Sequence, residues 1–103
     1  MPVDQKVVAA PELVEAVRSI ISEVMLVPRD KVGLDSALIG ELGAESIDFI
    51  DMVFRIEDVV GHRIHVSRWG TFIEERLPGA ELSSAITTTI VVEFAERERA
   101  RAA

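Results

Sequence analysis

Leu13, Val17, Ile20 and Val24 return at helical spacing, with Val14, Ile21 and Met25 beside them, and predict an amphipathic helix. Pro11 suits its first turn, and Glu12 and Glu15 complement its positive end. Pro28 limits it, because a residue preceding proline avoids helical geometry. A second helix is predicted from Ile47 to Val60, closed by Gly61, and it is apolar around far more of its circumference. Ile47, Phe49, Ile50, Met52, Val53, Phe54, Ile56, Val59 and Val60 fill it, while Asp48, Asp51, Arg55 and Asp58 recur at spacings of three, four and three. At about 100° per residue those four form one narrow polar stripe, and Glu57 falls beside it. A surface helix needs only one apolar face. This one is therefore either central to a bundle or offers apolar surface to something else.

The remaining pattern is weaker. Pro28 to Ala44 is a long connection with Gly33, Gly40 and Gly43, and its Val32, Leu34, Leu38, Ile39 and Leu42 predict a path across the core, with room for a helical turn. A short third helix is expected within Val66 to Leu77, carrying Val66, Trp69, Phe72 and Ile73. Trp69 reads as a core or lid residue whose indole N–H reaches a polar partner. Pro78-Gly79 is a break, Ala80 to Ala85 reads as loop, and a last helix begins among Thr87, Thr88 and Thr89. That helix buries Ile90, Val91, Phe94 and Ala95, and Glu96 to Arg101 reads as a solvated tail. The expectation is all-α: a small four-helix bundle of three longer helices and one short one over residues 11–101, behind a loose leader at residues 1–10.

Composition narrows the function. The 103 residues carry 49% hydrophobic content and a formal net charge of −7, which fits one domain with one core. Acidity of this size opposes nucleic acid, which needs a basic footprint, and favours partners with basic surfaces. With no cysteine there is neither a disulfide framework nor a thiolate metal site. Asp30 and Asp35 lack the other ligands of a calcium loop. His62 and His65, three apart, have no further clear ligands, so no metal is expected. No apolar run reaches the length of a membrane span, and no secretory signal opens the chain, so a cytoplasmic monomer is expected. The chemistry-bearing candidate is Ser46, brought by a glycine-containing loop to the start of the apolar helix. On its own it reads as a residue near a helix start that bonds a free backbone N–H.

The string Leu42-Gly43-Ala44-Glu45-Ser46-Ile47-Asp48, the helix to Gly61 and then Ile64 resemble the acyl carrier proteins. The full pattern covers residues 38–66, with weaker agreement in helix placement over most of the chain. The resemblance implies that Ser46 bears a 4′-phosphopantetheine arm on which acyl groups ride as thioesters. A phosphodiester would meet the positive end of the helix there. It implies a partner phosphopantetheinyl transferase, and acyl-loading, acyltransferase and synthase enzymes with basic docking surfaces. Glu45, Asp48, Asp51, Met52, Glu57 and Asp58 are the implied docking residues. The protein itself is expected to be no enzyme. A hydrolytic role for Ser46 would require a histidine within reach of its hydroxyl. Phe49, Ile50, Val53, Phe54, Trp69 and Phe72 are the candidates to sheath an acyl chain.

Three positions depart from the family pattern: Glu45 stands for the usual aspartate, Arg55 interrupts the acidic face, and His65 occupies a common proline position. Ser46-Ile-Asp-Phe-Ile-Asp-Met-Val-Phe, with Ile64 and Trp69 beyond it, is also similar to the long-chain carriers of bacterial lipid A synthesis. Carriers for polyketide or peptide assembly share the serine motif. A plain interaction module in which Ser46 is only structural remains the alternative from another class.

Overall fold

The computed structural model describes residues 10–101, so the leader expected at residues 1–10 lies, but for Ala10, outside the described residues. Helix α1 (Pro11–Met25) has proline at its start and buries Leu13, Val17, Ile20 and Ile21, the face that the periodicity predicts. It ends on Leu26 in left-handed geometry (φ 58°), a conformation that costs a non-glycine residue roughly 1–2 kcal/mol. Leu26 is 88% exposed, so burial does not offset that cost.

The long connection is part of the core. After a single 3-10 turn (Arg29–Lys31), Val32, Ala37, Leu38 and Ala44 are buried. Arg18 pins the start of this segment to α1. Its Nε donates to the Val32 carbonyl at 2.8 Å and one terminal nitrogen to the Arg29 carbonyl at 3.0 Å, while Glu15 pairs with both Arg18 and Arg29.

Helix α2 (Ser46–Val60) buries Phe49, Met52, Val53, Ile56 and Val60. It stops at Gly61, whose φ of 88° favours glycine. Helices α3 (Ser67–Arg76), α4 (Leu82–Ala85) and α5 (Thr88–Arg101) complete the order. The four helices longer than one turn make the expected all-α bundle. The one-turn α4 corrects the expectation of loop at Ala80 to Ala85.

Helix α1 packs against both α2 and α5, and α2 also meets α5. Helix α3 has no comparably close backbone approach to another element. It reaches the bundle through aromatic side chains: Trp69 stacks on Phe49 (ring centroids 5.4 Å) and meets Phe94 edge-on (5.2 Å), and Phe72 lies 5.4 Å from Phe94.

Two loops are zipped together behind this aromatic group. Leu38 N–H donates to the Ile86 carbonyl and Gly40 N–H to the Ser83 carbonyl, each at 2.9 Å, and Ala37 bridges Thr87. The N–H groups of Thr88 and Thr89 donate to the carbonyls of Ser36 and Leu34.

The end of the chain also differs from expectation. Helix α5 runs through Arg101, and Glu98, assigned to a solvated tail, is 1% exposed. One helical turn beyond Phe94, it faces the interior, and it accepts from Arg68 at 2.8 Å and Arg101 at 3.1 Å.

Candidate functional site

The start of α2 is exposed and electrostatically prepared. Glu45 is the N-cap residue, in extended geometry, and its backbone N–H donates to Asp48 Oδ2 at 2.8 Å. Asp48 therefore holds the first turn and sets its negative charge where the helix dipole favours it. Ser46 follows at the first helical position. It is exposed, and its hydroxyl has no hydrogen-bond partner among the described residues. The backbone N–H groups at this position and the next have no carbonyl one turn earlier to bond, as at any helix start. The hydroxyl is free for modification, and the donors around it suit a phosphate oxygen. The cap carboxylates, Glu45 and Asp48, oppose such an anion by simple repulsion, and Asp48 is partly compensated by the N–H it accepts.

Beside Ser46 opens a cleft of about 740 Å³ between α2, α3 and the zipped loops, within the size range of small-molecule sites. Ser46, Glu45, Ser67 and Glu74 line its polar edge. Phe49, Ile50, Trp69 and Ile73 line it from the two helices, and Ile39, Leu82 and Ile86 from the loops and α4. Of the six side chains expected to sheath a chain, Phe49, Ile50 and Trp69 line this space. Phe72 is buried against Phe94, and Val53 lies in the core behind Phe49. Phe54 is 57% exposed and borders a separate depression with Glu57 and Arg63 to Val66, because its position turns it away from α3.

The expected docking residues separate in the same way. Glu45 and Asp58 are exposed, and Asp51 is half-exposed in a 3.0 Å pair with Arg55, which also reaches Glu23 of α1 at 3.0 Å. Met52 is 1% exposed and cannot meet a partner; it belongs to the core face of α2. Glu57 is turned inward, its side chain 17% exposed, and accepts the N–H of buried Ile64 at 2.7 Å. The sequence reasoning missed Ile47, 69% exposed, which with Ile50 and Phe54 makes an apolar stripe beside the acids. Their spacing of three and four was the available signal.

The two histidines face different tasks. His65 Nδ1 accepts from the Ser67 N–H (3.2 Å) at the start of α3 and lies 2.8 Å from the Ser67 hydroxyl. His62 Nε2 lies 2.8 Å from the Glu98 carbonyl and Nδ1 2.9 Å from the Arg63 carbonyl. Carbonyls only accept, so the doubly protonated ring alone satisfies both. These bonds, the Glu98 one foremost, hold the His62 pKa above its ordinary value, against some desolvation and the nearby Arg101. No histidine hydrogen-bonds Ser46 among the described residues.

The helical bundle thus presents a free hydroxyl at the start of its second helix, next to an apolar cleft. A family model described as a phosphopantetheine attachment site matches residues 15–68, just over half of the chain, and the chain belongs to that family. Its prosthetic group is 4′-phosphopantetheine. Acyl carrier protein AcpXL of Brucella melitensis is 34% identical over 61 residues, 59% of this chain and 66% of the relative. AcpXL of Rhizobium meliloti is 33% identical over 61 residues, 59% of this chain and 64% of the relative. The acyl carrier protein of Campylobacter hominis is 38% identical over 53 residues, 52% of this chain and 67% of the relative. The chain thus spans just under two thirds of the length of the AcpXL relatives it matches.

Proposed function

We propose that this chain is an acyl carrier in which Ser46 bears the 4′-phosphopantetheine arm. The observation that carries the reading is the free Ser46 hydroxyl at the start of α2, on the edge of the 740 Å³ cleft. When bound, the arm supplies a terminal thiol for thioester linkage, which the cysteine-free chain lacks. The chain's own residues present the hydroxyl, offer backbone donors to the phosphate and line a cleft for apolar cargo. The cargo is a long acyl chain, of the kind used in lipid A assembly. The AcpXL names of relatives and the apolar walls of the cleft support that choice. Partners are a phosphopantetheinyl transferase and acyl-transferring enzymes whose basic surfaces meet Glu45, Asp48, Asp51 and Asp58. An apolar patch on those partners would cover Ile47, Ile50 and Phe54. No helix among the described residues is long and apolar enough to cross a membrane.

Intact mass after coexpression with a phosphopantetheinyl transferase tests the assignment. The wild type gains the mass of the arm. Ser46→Ala gains nothing and keeps its helical circular dichroism, since no hydrogen bond of the hydroxyl is lost. A modified Ser46→Ala protein would move the site elsewhere, and an unmodified wild type would leave the plain interaction module.

A further inference from the structure

The cleft beside Ser46 has two walls of different mechanical character. Its loop wall, with Ile39, Leu82 and Ile86, is held by the backbone bonds that join Leu34–Gly40 to Ser83–Thr89. It is also tightly closed: a Cβ on Gly40 would come within 2.7 Å of the Ser83 carbonyl oxygen. Moving this wall breaks hydrogen bonds whose groups are partly out of water. The opposite wall is the Phe49–Trp69 stack: α3 itself is tied to α5 by the Arg68–Glu98, Arg76–Glu93 and Arg97–Glu75 pairs, but the Trp69 ring is held only by dispersion and aromatic contacts with Phe49, Phe72 and Phe94. The Trp69 indole N–H, expected to reach a polar partner, has none among the described residues, and the backbone of α3, which carries Trp69, approaches other elements less closely than α1, α2 and α5 approach one another.

Behind the stack lies a wholly apolar seam, lined by Met52, Val53, Ile56 and Val91 together with Phe49 and Trp69, and too narrow to admit a water molecule. Phe49 and Trp69 are the two residues that line both spaces, so their stacked rings stand between the cleft and the seam. Met52 can adapt its shape at low cost, because its side chain is unbranched and flexible.

We infer that Trp69, stacked on Phe49, is the specificity-determining gate of the cleft: short acyl chains stay on its outer side, and chains that outgrow the cleft swing it aside and enter the seam against Met52 and Val91. This rests on the carrier reading. The weaker wall yields first, so the length at which Trp69 turns sets the boundary between cargo that stays at the surface and cargo that is enclosed. Each methylene that passes the gate leaves water for apolar surroundings, and this offsets the lost stacking.

Methyl NMR of the holo protein loaded with butyryl, octanoyl, tetradecanoyl and longer chains tests the gate, with thermal unfolding of the same series alongside. Met52 and Val91 line the seam and not the cleft, so their methyl resonances should stay in place for short chains and move together once a threshold length is passed. Ile50, Ile73 and Ile86, which line the cleft, should respond to every chain. In Trp69→Ala the Met52 response should begin at a shorter chain. Trp69→Phe gives the same comparison with less loss of packing, should the alanine variant not fold. If the unfolding midpoint rises with chain length while Met52 and Val91 stay still, the cargo is enclosed elsewhere and the gate is wrong although the carrier reading stands. If neither the midpoint nor any cleft methyl responds to any chain, the enclosure reading falls and takes the gate with it.

Discussion

The two ends of α2 carry acids at similar density but do opposite work. At the start, Glu45, Ser46 and Ile47 are exposed, and the hydroxyl is unbonded. At the finish, Glu57 accepts the Ile64 N–H, Gly61 closes the helix, and His62 reaches the last turn of α5, where Glu98 joins Arg68 and Arg101. One end is left available and the other is locked to the rest of the bundle. The difference teaches that an acid on this helix cannot be assigned to docking by its place in the sequence alone. Glu57 and Asp58 are neighbours, yet one is a structural acceptor and the other is exposed.

The sharpest break of this comparison is Glu98→Gln. It removes a buried charge from two arginine hydrogen bonds and should cost about 2 kcal/mol in denaturant unfolding. The cost stays below that of a fully buried pair because Arg68 and Arg101 are partly exposed and can return to water. Phosphopantetheine attachment, read by mass, should persist, because the locked end is remote from Ser46 along the helix.

Next comes the neighbouring pair. Glu57→Ala strips the acceptor from a buried N–H and should destabilise by about 1–2 kcal/mol. Asp58→Ala should change stability by less than about 0.5 kcal/mol and show its effect only in partner transfer rates. Equal losses for the two would erase the distinction between structural and docking acids.

The His62 clamp adds a pH dependence to the locked end. Its folded-state pKa lies above the ordinary 6.5, so its stabilisation is complete below that value and is lost as pH rises through the folded-state value. The unfolding midpoint of the wild type should therefore fall relative to His62→Ala as pH rises from about 5 to 8. A difference that stays constant across that range would mean that the ring is not held as the cation.

The smallest structural effect is expected at the available end. Asp51→Lys removes an exposed pair with Arg55 and should alter stability by only a few tenths of a kcal/mol. It should nonetheless slow acyl or phosphopantetheinyl transfer at low salt and approach the wild-type rate at high salt, the signature of electrostatic steering.

The local code was legible. Helical spacing gives α1 and α2 with their buried faces, Pro11 and Gly61 mark their limits, and the pattern around Ser46 points to a modification site. These features depend on residues within a few turns of one another, so a linear reading contains them. Whether a side chain at a given angle meets another element is a different matter. Met52 and Phe54, two residues apart, went to the core and to the surface because α1 and α5 cover one side of α2 only. The tail acid Glu98 became buried because Arg68, thirty residues away, meets it, and charged residues are expected outside unless such a partner exists. The short α4 was hidden for the same reason: four residues are too few to show a period, and the Ser83 and Ile86 carbonyls are held by backbone N–H groups of a loop more than forty residues earlier. Sequence by itself determined α1 and α2, their limits at Pro11 and Gly61 and the candidate serine, through interactions of short range. Only the tertiary structure decided which acids lock the bundle and which apolar residues face the cleft, because each depends on a partner distant in the chain.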